Sequence, residues 1–372
     1  STSFNLSGTT FASNTIQVRQ TDAAGNISSV ASIDKPITID TSITTPTLTL
    51  TNDTGSINDD SITRVGRFNV TDLEQGAIWR YSIDAGTSWS APIVATANAS
   101  QLYLPIIDAT YAAGDILVEQ TDLAGNLSNS GSNTNPVTID KTNPTVTVSL
   151  DQTILGGTNN NTAAITIVFD DIPIGFAAGD LYARGGNITN LVQDTGDASN
   201  KTYTATYTMA DDFQGEGQVV VSNAWADLAG NAGTQGMASI AVDSLAPTAT
   251  VTDNVAGTVN STTTSIVYTL SFSENVTAPT ALVDSNFTLV NGSVTGVIDN
   301  GDNTWSVTVA PTLTNTASGQ IEFSLNSGVI IDSVGNTNAL ISAPNQAIDN
   351  VAPDDAEIIT IDADGGAIGD QL

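Results

Sequence analysis

The stretch "QTDLAGNLSNSGSNTNPVTIDKTNP", from Gln120 to Pro144, decides how the chain is read, because its frame is written four times. Asp-x-x-Gly-Asn occurs at Asp22–Asn26, Asp122–Asn126, Asp227–Asn231 and Asp332–Asn336, at separations of 100, 105 and 105 residues. Each copy is followed by a short strand-like run, an aspartate and a proline: Asp40 and Pro46, Asp140 and Pro144, Asp243 and Pro247, Asp349 and Pro353. A period near 100 residues marks a tandem array of small domains, and 372 residues are enough for several cores.

Within each period, runs rich in Val, Ile, Thr and Tyr alternate apolar with polar side chains. Examples are "TLTLT" (Thr47–Thr51), "AITIVF" (Ala164–Phe169), "TYTATYTM" (Thr202–Met209), "SIVYTLSF" (Ser265–Phe272) and "TWSVTVA" (Thr304–Ala310). No stretch shows a 3.6-residue period, so the chain reads as all-β, with strands near six residues facing one core layer each. "QDTGDASNKTY" (Gln193–Tyr203) and "IDNGDNTW" (Ile298–Trp305) occupy matching places and supply the Gly and Asn of hairpin turns. Short strands joined by such turns in about 100 residues predict a β-sandwich.

The motifs place whole domains at 44–142, 143–245 and 246–351. Residues 1–43 match only the second half of a unit, since "TIQVRQTDAAGN" (Thr15–Asn26) corresponds to "DILVEQTDLAGN" (Asp115–Asn126). Residues 352–372 match an opening, with "EIITIDADGGAIGD" (Glu357–Asp370) corresponding to "TLTLTNDTGSINDD" (Thr47–Asp60). Between domains the linkers are short. After Asp140 there is only "KTNP", and its proline fixes one backbone angle and biases the preceding residue to extended geometry.

Eight basic residues against 39 acidic ones leave a net charge of -31, which disfavours nucleic acid and anionic membrane surfaces as partners and favours cations. Apolar residues make up 40% of the chain, too many for a disordered polyanion. There is no cysteine and no histidine, which rules out thiolate zinc sites, thiol nucleophiles and a His-based triad. No apolar run approaches the length of a membrane helix. A basic and hydrophobic leader is missing from the first residues, so an export signal is expected outside this sequence.

The acids fall in a pattern. In a sandwich whose chain enters at one pole and leaves at the other, the loop after the second strand and the loop before the last strand both return to the N-terminal pole. Asp22, Asp122, Asp227 and Asp332 head the loop before the last strand. The loop after the second strand carries Asp72 and Glu74, Asp170 and Asp171, or Glu274. The linker aspartates Asp40, Asp140 and Asp243 arrive at the same end, and Asp349 holds the corresponding place after the last full repeat. Loops at the opposite pole, with Asp53, Asp59 and Asp60, then Asp151 and Asp253, are expected to add carboxylates to the following joint.

Two carboxylates about 4 Å apart repel by roughly 4 kcal/mol at an effective dielectric near 20, so such joints call for a cation. Calcium takes six to eight oxygen ligands in flexible geometry, whereas zinc wants nitrogen or sulfur and magnesium prefers to keep its waters. The expected cofactor is Ca2+. Its ligands are drawn from Asp22, Asp40, Asp60, Asp72, Glu74, Asp122, Asp140, Asp171, Asp227, Asp243, Glu274, Asp332 and Asp349. Turn chemistry alone, with Asp accepting backbone hydrogen bonds and Gly or Asn taking positive φ, accounts for the Gly and Asn of the motif. It does not explain why three distant segments bring acids to one pole.

The stretches "TPTLTLTNDTGSINDDSITRVGRFNVTDLEQGAIWRYSIDAGTSW" (Thr45–Trp89) and "TYAAGDILVEQTDLAGN" (Thr110–Asn126) resemble the bacterial immunoglobulin-like repeats of large biofilm-associated and RTX-type adhesins. "FSENV" (Phe272–Val276), "NFTLVNGSVTG" (Asn286–Gly296) and "VDSLAP" (Val242–Pro247) resemble a second variety of such repeats. The resemblance covers essentially the whole chain. It implies tandem immunoglobulin-like β-sandwich domains in an elongated array, forming an extender of a giant Gram-negative cell-surface adhesin. It further implies type I secretion, an extracellular monomeric rod touching only its own neighbouring repeats, and calcium between domains held by the motif and linker aspartates. The first linker departs from the others, with "TSITTP" two residues longer than "KTNP".

Two other functions compete. One makes a domain a sugar- or protein-binding module of an extracellular protein, with Trp79, Tyr81 and Trp89 as planar rings that could stack on a sugar, although alternating aromatics in a strand usually fill a sandwich core. Paired carboxylates also suit glycoside hydrolysis, but here the acids recur at every joint instead of gathering in one cleft.

Overall fold

The computed structural model describes residues 10–105, 107–278, 281–313 and 318–351. Apart from two single-turn helices, Ala178–Asp180 and Asp284–Asn286, its regular elements are β-strands. Among the described residues no helix is long and apolar enough to cross a membrane. The opening expected at 352–372 lies outside the described residues.

The repeat around 146–243 shows the plan. One sheet orders Val146–Leu150, Thr162–Phe169, Thr202–Met209 and Gly186–Gln193, all antiparallel. The facing sheet orders Ile154–Gly156, Gly236–Asp243, Gln214–Val221 and Leu181–Arg184. Ile154–Gly156 runs parallel to the last strand, the other pairs antiparallel. The first strand segment thus switches sheets, which leaves its two halves bracketing the core.

Alternation selects that core. Along Thr162–Phe169 every second residue is buried, and Ile165, Ile167 and Phe169 meet Val219, Val221, Ile240 and Val242 from the other sheet. Phe169 packs edge-on against Trp225 at 4.6 Å and Phe176 at 4.9 Å between ring centroids. Burying such rings supplies the largest apolar areas of the repeat. Two further cores are built the same way: one gathers Phe68, Val70, Trp79, Ile116 and Ile139, the other Ile266, Tyr268, Leu270, Val307 and Phe323. Each core draws on its own repeat, as in an array with nearest-neighbour joints.

The expected hairpins form. Strand Gly186–Gln193 turns into Thr202–Met209, and Gly292–Asp299 into Thr304–Pro311, with Asn200, Gly301 and Asn303 at positive φ. Trp79 is a core residue, 2% exposed, so it offers no stacking face. Trp89 is half-buried beneath the Arg80 guanidinium, 4.8 Å from ring to carbon. Arg80 also pairs with Glu119, so this aromatic cluster is satisfied within the sheet surface.

Candidate cation sites at the joints

The Asp-x-x-Gly-Asn turn shares one frame in its four copies. Its glycine takes positive φ (+91° at Gly25, +94° at Gly125, +84° at Gly230, +99° at Gly335), where a side chain would be strained. The aspartate Oδ1 accepts the backbone N–H of the motif asparagine at 2.8 to 2.9 Å, and Oδ2 accepts that residue's Nδ2. The asparagine therefore does more than turn the chain. At three joints the same Nδ2 also donates to a linker aspartate carbonyl: Asn126 to Asp40 at 3.1 Å, Asn231 to Asp140 at 3.0 Å, Asn336 to Asp243 at 2.9 Å. One amide thus locks the motif carboxylate to the linker.

The linker aspartates share a second device. Oδ1 of Asp40, Asp140, Asp243 and Asp349 accepts the N–H two residues on, forming an Asx turn. That turn fixes the side chain's direction just where the chain crosses between repeats.

Three carboxylate groups result: Asp40 with Glu74 and Asp122, Asp140 with Asp171 and Asp227, and Asp243 with Glu274 and Asp332. In each group one oxygen per residue lies within 4.8 Å of the others. Asp227 and Asp332 are 1% and 4% exposed, so these acids are held out of water. Burial pushes the Asp140 carboxyl above the usual range, helped by the charges of Asp227, Asp108 and Asp171. Burial raises Glu274 in the same way, helped by Asp332 and Asp243. In the more open turns the Asn26 and Asn126 amides instead hold Asp22 and Asp122 below the usual range.

Several expected ligands stand elsewhere. Asp72 adopts φ +62° and gives Oδ2 to the Thr47 and Thr71 hydroxyls, so Glu74, two residues on, reaches the joint. Asp60 caps its own loop, with Oδ1 accepting the Ile62 N–H. Asp53, Asp151 and Asp253 likewise bind N–H groups of Ser61, Ala164 and Val255, and none of these acids joins a group. Asp22 is exposed with its Asn26 partner, and no described carboxylate groups with it; the same holds for Asp349.

Other contributors carry weaker sequence signals. Gln120 is 1% exposed and ties the first joint together: Oε1 accepts the Glu74 N–H, while Nε2 donates to the Thr44 and Asp72 carbonyls. Its only trace is the Gln-Thr-Asp shared by Gln20 and Gln120. At the second joint Lys201 Nζ donates to Asp170 O at 2.6 Å and stands 3.6 Å from Asp171, offsetting part of the charge. Asp108 holds the Lys141 N–H at 2.6 Å beside Asp140.

The donor set is all oxygen, anionic and drawn from three segments, which fits a hard divalent cation of flexible coordination better than any nitrogen- or sulfur-seeking metal.

Residues 140–242 match the bacterial Ig-like domain family. No curated protein matches the chain. Among solved structures, the chain is similar to invasin, described as a bacterial integrin-binding protein, at 13% identity and a TM-score of 0.27, covering 80% of this chain and 60% of that one. It is also similar to the Yersinia pseudotuberculosis adhesin InvE, at 16% identity and a TM-score of 0.22, covering 54% of this chain and 58% of that one. Domains 4–9 of the surface layer protein SbsC align at 12% identity and a TM-score of 0.19, over 92% of this chain and 47% of that one. The chain therefore spans about three fifths of the length of the first of these structures. The fold is a tandem array of Ig-like β-sandwiches, and one of its repeats, 140–242, carries the bacterial Ig-like pattern.

Proposed function

We propose that this chain is an extender segment of a large secreted bacterial surface adhesin, a rod of Ig-like repeats stiffened by calcium at its joints. The observation that carries the reading is the recurrence of one three-carboxylate group at three successive joints. A catalytic or ligand-binding site would be needed once; a mechanical device is needed at every hinge.

Asp40, Glu74 and Asp122 would hold the ion at the first joint, Asp140, Asp171 and Asp227 at the second, and Asp243, Glu274 and Asp332 at the third. When bound, calcium supplies the positive charge that lets acids from two repeats share one small volume. The chain does the positioning. Asx turns aim the linker acids, the asparagine amides pin them to the motif, and short Pro-ended linkers leave few other orientations.

Titration calorimetry with calcium is expected to give saturable heat that Asp227→Ala reduces by the share of the second joint. Absence of heat from the parent chain would sink the reading.

The pH response has a defined sign. Asp140 and Glu274 are raised above their ordinary 3.8 and 4.5, so without calcium their protonated forms favour the folded joint, and this contribution is lost as pH rises through the raised values. Calcium needs those groups ionised. The stabilisation it gives is therefore expected to be full at neutrality and to fade on acidification just above the ordinary carboxylate values. Melting curves with and without calcium across that window check it, and a gap independent of pH would contradict it.

A further inference from the structure

The second and third joints carry another set of contacts, made without any carboxylate. In the repeat 44–142, the loop after the first strand lies against the Asp227–Asn231 turn of the following repeat. Thr54 Oγ1 accepts the Arg64 N–H at 2.8 Å, which turns its own hydrogen toward Ala229 O, 2.6 Å away. Arg64 Nη1 donates to Gly230 O at 3.1 Å. Between them Gly55, at φ +107°, sits so close that a Cβ there would run into the Leu228 carbonyl.

The next joint repeats the idea with other atoms. The Gly157 N–H donates to Asn336 Oδ1 at 2.8 Å, and a Cβ on Gly156 would collide with the Val334 side chain. Both loops use glycine for close backbone approach. The covering is visible in the turn itself: Ala229 is 0% exposed, whereas the matching Ala124 is exposed and its neighbour Leu123 is 87% exposed. A Cβ built on Gly125 would meet nothing within 4 Å, whereas one on the matching Gly230 would meet the Gly55 backbone at 2.9 Å.

We infer that the loop after the first strand of a repeat is a docking surface for the Asp-x-x-Gly-Asn turn of the following repeat, and that this contact sets the orientation between repeats without a cation. The bonded groups are a hydroxyl, a side-chain carboxamide oxygen, backbone amides and carbonyls, and a guanidinium that stays charged at any working pH. None has to lose a proton or gain an ion to pair. At the second joint docking gives the Ala229 and Gly230 carbonyls their donors as it takes the turn out of water, so these two acceptors are not left unpaired. The short linker also keeps the two surfaces at high effective concentration, so weak contacts suffice. In this arrangement calcium relieves repulsion in a joint whose angle the protein has already set. The inference goes beyond the calcium reading and stands without it.

The chain lacks cysteine, so paired spin labels can be placed cleanly on the exposed positions Ala97→Cys and Asn187→Cys, one on each side of the second joint. In excess chelator the full chain is expected to show a narrow distance distribution. Thr54→Ala with Arg64→Ala, which leaves the backbone unstrained, is expected to broaden it at least about twofold, as is Gly55→Leu. Circular dichroism confirms that each variant is folded. A broad parental distribution in chelator, or variants as narrow as the parent, would overturn the inference. Calcium reads the other proposal separately: no calcium heat with a narrow chelated joint defeats the calcium reading and leaves the docking surface standing.

Discussion

Replacing Asn231 with Ala is expected to destabilise its repeat by about 3 kcal/mol, because it strands a charged group that the fold has taken out of water. Asn231 Nδ2 donates both to Asp227 Oδ2 and to the Asp140 carbonyl, and Asp227 is 1% exposed. Alanine removes both donors and supplies nothing in their place. In Asn26→Ala the amide that is lost pairs, among the described residues, only with Asp22 Oδ2 in an exposed turn, so the expected change is within about 0.5 kcal/mol. Urea unfolding followed through Trp225, the lone tryptophan between residues 143 and 245, measures the first value. Equal costs at positions 26 and 231 would show that burial at the joint is not what makes this amide matter.

The second large effect is expected from calcium itself. An ion that binds the folded joint and not the unfolded chain adds about 2.7 kcal/mol per site when present at one hundred times its Kd. For a repeat of about 100 residues that corresponds to a rise in Tm of about 10–20 °C. Scanning calorimetry in millimolar calcium and in chelator compares the two states. The gain should shrink in Asp227→Ala with Asp332→Ala, which together remove the most buried member of two groups. Superimposable thermograms for the parent protein in the two buffers would refute a stabilising role for the ion.

The architecture could be read from the chain because its signals are local and repeated. Alternation along Ala164–Phe169 or Ser265–Phe272 assigns each side chain to a face without knowledge of its partner strand. The gathering of linker, motif and second-loop acids followed from pole counting alone. What resisted reading was the choice between near neighbours. Asp72 and Glu74 are equally acidic, and only the left-handed backbone at Asp72 and the threonine hydroxyls beside it decide that Glu74 reaches the joint. Asp60 likewise carries the right charge at the right pole, but the nearest N–H in its own loop claims it first. Gly55 and Thr54 left no mark, since a glycine and a threonine in a polar loop resemble any turn until the following repeat is laid against them.

The parallel pairing inside the sandwiches bears on what such an array would withstand when pulled from its ends. Ile154–Gly156 lies beside the last strand of its repeat, Ile62–Thr63 beside Thr138–Ile139, and Val259 beside Ile348, all in the same direction. Force applied to the two ends of the array would pull the ends of each sandwich apart. Side-by-side strands of common direction then slide against each other, loading their ladder bonds at once instead of peeling them singly. Such a pull would thus be resisted first by these short parallel pairings.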